Sequence, residues 1–121
     1  MSSFPLTNEH NNDFTFEEVS EVKKDKKNIS ATGFERAYEN FRKTLPIMLE
    51  NKELFKHFGL ERAEHLPCNC EAYIAKKIRW KENNYRLRIV FRVIGGKILI
   101  IEIYFKGQQN NENKERICKY C

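Results

Sequence analysis

Arg86, Arg88 and Arg92 stand in the alternating run Tyr85-Arg86-Leu87-Arg88-Ile89-Val90-Phe91-Arg92-Val93. Side chains alternate between the two faces of a strand. Leu87, Ile89, Phe91 and Val93 therefore point toward a core, and the arginines point away from it with Val90 among them. Guanidinium is always charged and meets phosphate through two parallel hydrogen bonds. A row of such groups on a rigid sheet suits two tasks: holding a polyanion, and stabilising charge that develops on a phosphate under attack. The plain alternative is the solvated face of an antiparallel sheet.

The surrounding charge favours the first reading. Between residues 71 and 106 lie Lys76, Lys77, Arg79, Lys81, Arg86, Arg88, Arg92, Lys97 and Lys106, opposed only by Glu71, Glu82 and Glu102. The whole chain carries +5, from 22 basic and 17 acidic residues, a modest bias toward anionic partners that is concentrated in the sheet-like half. A length of 121 residues with 40% hydrophobic content fits one domain around one core. Residues 1–13 are polar and lack an apolar run, so they read as a mobile leader, neither signal peptide nor membrane span. Residues 14–121 are expected to form a single domain, away from membranes and in the cytoplasm.

The cysteines form two local pairs, Cys68-Asn69-Cys70 and Cys118-Lys119-Tyr120-Cys121. C-x-x-C is a common half of a four-thiolate zinc site, whereas C-x-C is a less usual one. Reduced thiols are the expectation for a cytosolic protein. No metal or other cofactor is assigned, and zinc stays open as the alternative.

The elements that must position these groups follow from periodicity. Residues 14–19 alternate as a first strand. The run Lys23-Lys24-Asp25-Lys26-Lys27 reads as a solvated loop or helix start. Phe34, Ala37, Tyr38, Phe41, Leu45, Met48 and Leu49 recur at helical spacing, with Ser30 or Thr32 able to cap the start. Pro46 predicts a kink or break at Leu45. Leu54, Phe55 and Phe58 suggest a further helical turn ended by Gly59, and residues 60–69 read as a loop. A strand over residues 72–81 would place Ile74, Ile78 and Trp80 on one side, followed by a turn at Asn83-Asn84. The arginine strand and the strand over residues 97–106 are joined at Gly95-Gly96, a hairpin signal. Pairing the apolar faces of these two strands, with Leu99, Ile101, Ile103 and Phe105 on the inner side, requires a three-residue or bulged turn. Asn111 or Asn113 can cap a last helix reaching Tyr120.

The stretch Arg88-Ile89-Val90-Phe91-Arg92-Val93-Ile94-Gly95-Gly96-Lys97-Ile98, with the apolar strand ending at Phe105-Lys106, resembles the RelE/ParE superfamily of toxins from toxin–antitoxin pairs. The resemblance covers roughly residues 76–120 by this pattern. It implies an α+β fold: a small antiparallel sheet of about four strands packed on N-terminal helices, with a short C-terminal helix. It also implies a toxin that inhibits translation as a ribosome-dependent mRNA endoribonuclease, with mRNA, the ribosome and a cognate antitoxin as partners. In that chemistry a 2′-hydroxyl attacks the adjacent phosphorus without a metal, and cations stabilise the transition state. Carried over by position, Arg88, Lys77, Arg79 and Lys106 are the catalytic candidates; Tyr120 joins them as a candidate acid or base, and Lys76, Arg86, Arg92 and Tyr104 are the RNA-binding candidates. Tyr104 is also a candidate acid or base.

The chain departs from the family after Lys106, where Gly107-Gln108-Gln109-Asn110-Asn111 holds no second cation. This departure supports the alternative of a non-enzymatic or inactive toxin-like protein, directed at gyrase or binding only an antitoxin. An unrelated RNA-binding module would need stacking aromatics, for which only Trp80 and Tyr104 are placed. A zinc-stabilised interaction domain would rest on the cysteines alone. His57 and His65 read as surface residues.

Overall fold

The computed structural model describes residues 14–29, 33–51, 56–78 and 86–121. Eight elements follow one another: β1 (Thr15–Glu18), α1 (Ser20–Asn28), α2 (Phe34–Glu50), β2 (Leu60–Arg62), β3 (Tyr73–Ile78), β4 (Leu87–Ile94), β5 (Lys97–Phe105) and α3 (Lys114–Lys119). The strands form one five-stranded sheet in the order β1-β5-β4-β3-β2. The expected α+β class holds, but the sheet is mixed. β1 runs parallel to β5, while the other neighbours are antiparallel. The additional strand is β2, in the segment expected to be a loop; it pairs Leu60 with Ala75 and Arg62 with Tyr73. The expected leader, the Ser30 and Thr32 caps, Leu54, Phe55, Trp80 and the Asn83-Asn84 turn lie outside the described residues.

α2 buries Phe34, Ala37, Tyr38, Phe41, Leu45 and Met48, the stripe its sequence repeats at three- and four-residue spacing. Gly33 opens the helix in the left-handed region with φ 95°, a conformation that glycine adopts without steric cost. The helix runs on through Pro46, so the expected break at Leu45 does not occur. Both residues are buried, and packing of the apolar stripe outweighs the local cost of proline. Phe41 meets Phe91 edge-on at 5.8 Å and Phe58 at 5.2 Å, seating α2 on the face that carries Leu87, Ile89 and Phe91.

The register conflict is resolved inside β5. The hairpin turn is the tight Gly95-Gly96 pair, closed by Ile94 opposite Lys97, with Gly95 at φ 60°. Phe91 pairs with Ile100 but Val90 pairs with Glu102, leaving Ile101 as the extra residue of a bulge. Ile98, Ile100, Ile103 and Phe105 therefore share the inner face, in place of the expected set built on Leu99 and Ile101. A second irregularity lies between Ala75 and Ile78, so Ile74, opposite Val90, and Ile78, opposite Leu87, point to opposite faces.

On the side away from β4, β5 lacks a strand neighbour beyond Ile100, because β1 stops at Glu18 and the chain turns into α1. Side chains complete its hydrogen bonding. Asp25 of α1 accepts from the Ile103 amide at 3.0 Å, and Arg116 of α3 donates to the Ile101 carbonyl at 3.0 Å. The same two side chains pair with each other at 2.6 and 3.2 Å. An unpaired buried main-chain group is costly, so this pair closes the sheet edge where the bulge opens it.

Candidate nucleic-acid interface

The face of β4 opposite α2 carries Arg88, Val90 and Arg92, next to Ile74 and Lys76 of β3 and to Leu99, Glu102 and Tyr104 of β5. It is not an open cationic surface. Residues 107–121 fold back across it, and Ile117 of α3 is fully buried along with Val90. Asn113 caps α3 by accepting from the Arg116 amide at 3.0 Å, as its sequence position predicts. The Asn113 amide in turn donates to Glu102 at 2.7 Å, and the Gln109 amide group donates to the other Glu102 oxygen at 2.7 Å. Burial raises the Glu102 carboxyl above its ordinary range, and these two donors oppose the rise.

The arginines are engaged with main chain. Arg88 is half-buried and donates through Nη1 to the Lys76 carbonyl at 2.7 Å. Arg92 donates through Nε to the Glu71 carbonyl at 3.1 Å and through Nη1 to the Tyr120 carbonyl at 2.9 Å, joining the loop before β3 to the chain after α3. Arg86 donates to the Lys106 carbonyl at 3.3 Å and lies against Gly107 and the Phe105 ring. Charge-assisted bonds of this kind are among the stronger ones in a fold.

The remaining candidates divide into separate neighbourhoods. Lys76 pairs with Glu61 at 2.9 Å. Lys77 is exposed in the β3 irregularity, its side chain over Gly59. Lys106 is exposed beyond β5 and donates to the Asn110 carbonyl at 2.9 Å. Tyr104 is buried opposite Arg88; burial, with Glu112 and Glu102 nearby, pushes its phenol up to about 12 against the pull of Arg88. Tyr120 turns its hydroxyl to α1, where it donates to Glu21 at 2.5 Å. Arg79 lies outside the described residues. The structure thus sets Arg88 opposite Tyr104 and against the Lys76 main chain, while the Lys76 ammonium turns to Glu61 and the Tyr120 hydroxyl to α1. A cleft of about 410 Å³ opens on the same side, lined by Glu61, Arg62, Glu64, His65, Lys76 and Glu112 among others. Acids and cations alternate around it, so it offers no uniform field for a polyanion.

Sequence reasoning missed Asp25, Glu21 and Arg116, which anchor the cover. A signal existed for Asp25. It stands at helical spacing between the buried residues Val22 and Ile29, on the inner side of the lysine run that surrounds it. The reduced-thiol expectation is also overturned: Cys68 is bonded to Cys118 and Cys70 to Cys121, so the C-terminal segment is covalently tied to the loop before β3. Spacing within each local pair does not reveal that the partners lie across the fold.

Among the described residues, no helix is long and apolar enough to cross a membrane. Compared with known protein families, curated proteins and solved structures, the chain matches none.

Proposed function

We propose that this chain is a toxin-like binding protein of the RelE/ParE kind, acting by holding a protein partner and not by cleaving RNA. The observation that carries this reading is the engagement of Arg88 and Arg92 with the carbonyls of Lys76, Glu71 and Tyr120 under a folded-back C-terminal segment. Guanidinium hydrogens that hold the protein's own backbone are withdrawn from phosphate. The general-base role is equally poorly served, because Tyr104 keeps its proton up to about 12. The partner we infer is an antitoxin-like protein that lays an acidic or amphipathic segment along a sheet edge. β1 and β2 are the edge strands, and among the described residues nothing pairs with their outer sides.

A second reading, the ribosome-dependent mRNA endoribonuclease, draws support from Arg88 standing opposite Tyr104 and against the main chain of Lys76, which lines the cleft. One experiment separates the two. The parent and Arg88→Ala are assayed for mRNA cleavage on translating ribosomes and for co-purification with the product of the adjacent gene. The binding reading expects no cleavage by either protein and retention of the partner by both. Cleavage by the parent that falls by ~10²–10³ in folded Arg88→Ala would transfer the assignment to the ribonuclease.

A further inference from the structure

The four cysteines come from two distant pieces of chain, a C-x-C in the loop before β3 and a C-x-x-C at the end of α3, and their sulfurs converge in one place. The sulfurs of Cys68, Cys118 and Cys121 lie within 4.8 Å of one another, and Cys70 is bonded to Cys121. Between the two bridges, the Cys68 and Cys121 sulfurs are 3.6 Å apart. A tetrahedral Zn²⁺ held by four thiolates at ~2.3 Å spaces its sulfurs by about 3.8 Å. The approach between the bridges already has this spacing, and the bonded pairs need only part to match it.

Contacts besides the bridges also hold the frame around the sulfurs. Arg92 holds the carbonyls of Glu71 and Tyr120, each one residue away from a cysteine. Arg116 pairs with Asp25, and both Lys119 and Tyr120 bond Glu21, so α3 is fixed to α1 by side chains as well. In the folded chain these contacts keep the two half-sites facing each other when the disulfides open. Four thiolates around Zn²⁺ carry a net charge of about −2, which the Arg92 guanidinium between the half-sites helps to offset.

We propose that Cys68, Cys70, Cys118 and Cys121 form a redox-switched metal site, two disulfides when oxidised and a tetrathiolate Zn²⁺ site when reduced. The inference does not rest on the function proposed above. The reaction balances with a dithiol reductant: two dithiols open two disulfides by thiol–disulfide exchange, yielding four protein thiols and two oxidised dithiols, and Zn²⁺ then displaces four protons. Soft thiolates select zinc over magnesium or calcium.

The test uses the full chain reduced with a phosphine under argon, with Co²⁺ as the spectroscopic probe and Zn²⁺ as competitor. The expected result is one Co²⁺ per chain with the intense absorption of a tetrahedral four-sulfur site, displaced by one equivalent of Zn²⁺. Zinc should also protect four thiols from alkylation until a chelator is added. The oxidised chain should bind no Co²⁺, and Cys70→Ser should lose the four-sulfur spectrum. Where the reduced, metal-free chain unfolds, Zn²⁺ should restore its circular dichroism with the reductant still present. The proposal is overturned if the reduced chain fails to take up Co²⁺, if alkylation ignores zinc, if Cys70→Ser or the oxidised chain gives the same spectrum as the reduced parent, or if zinc does not refold an unfolded reduced chain.

Discussion

Toward α2 the sheet presents Leu87, Ile89, Phe91, Ile98, Ile100 and Ile103, an apolar surface closed by aromatic contacts. Toward the C-terminal segment it presents Val90 and Leu99 beside Arg88, Arg92, Glu102 and Tyr104. The first face is held by burial of area, which is non-directional and changes little with pH or redox state. The second buries Val90 and Ile117 as well, but its cover is fastened by two disulfides, arginine–carbonyl bonds and carboxylate pairs. These links are directional and conditional. One sheet thus has a face held by apolar burial and a face held by conditional links, and solution conditions should discriminate between them.

Truncation on the apolar face should have the largest effect. Phe91→Ala removes a fully buried ring that contacts Phe41 and Tyr73, and should cost about 3–5 kcal/mol. Chemical denaturation should show a lowered midpoint with both faces melting together. Loss of the C-terminal cover alone would contradict the ranking of the two faces.

Opening both disulfides without added metal should rank second, at about 2–4 kcal/mol. The bridges span 50 and 51 residues and close nearly the same loop. Removing one of them should therefore cost only a small part of that amount, because the other still constrains the unfolded chain. Thermal melts of Cys70→Ser, of Cys68→Ser with Cys70→Ser, and of the reduced parent measure this directly. Equal and additive losses from each bridge would show that local strain, and not loop closure, governs them.

Arg116→Met should follow at about 1–3 kcal/mol, below the value for a fully buried pair because the Arg116 and Asp25 side chains are 16% and 10% exposed. It leaves the Ile101 carbonyl without its guanidinium donor and Asp25 without its counter-charge. Hydrogen exchange should quicken at the Ile103 amide and in α3 before it does in β4. Uniform exchange across the sheet would place the pair in the global core instead.

The difference between the faces also explains what was legible from sequence. The α2 face was written in periodicity: Phe34 through Met48 at helical spacing, and Leu87, Ile89 and Phe91 at period two. The bulge at Ile101 was legible as a conflict, since a two-residue turn could not match the apolar faces, but its position was not; it sits where β1 ends and Asp25 and Arg116 take over the edge. The Asn113 cap was readable because capping is local. The cover was not, because it is built from contacts between residues far apart in sequence, such as Glu21 with Tyr120 and Cys68 with Cys118, whose types carry no period. Arginines that brace carbonyls and arginines that bind phosphate look identical in a one-dimensional pattern, which is why Arg88 and Arg92 suggested a surface that the fold instead encloses.

The smallest expected effect concerns pH and is confined to the covered face. Glu21 and Glu102 both fasten the C-terminal segment, but their carboxyls are shifted in opposite directions. The Tyr120 hydroxyl and the Lys119 ammonium bond Glu21 and lower its pKa from 4.5 to about 2. A carboxyl lowered on folding contributes stability that is full above its unfolded pKa and is lost as pH falls through the folded one. The Glu21 link should therefore weaken between pH 4.5 and about 2. Burial raises Glu102, so its contribution has the opposite sign: it is full below the unfolded pKa and is lost as pH rises through the raised value. Glu21→Gln should flatten the acid limb of a melting-temperature profile, and Glu102→Gln should flatten the limb above pH 4.5, where glutamine keeps a carbonyl for the Asn113 amide without a charge to bury. Exchange of α3 amides, followed across the same pH range, should change in both variants while the amides of α2 do not. If the two variants shift the same limb, or if α2 responds as strongly as α3, the carboxylates do not act on a separable face.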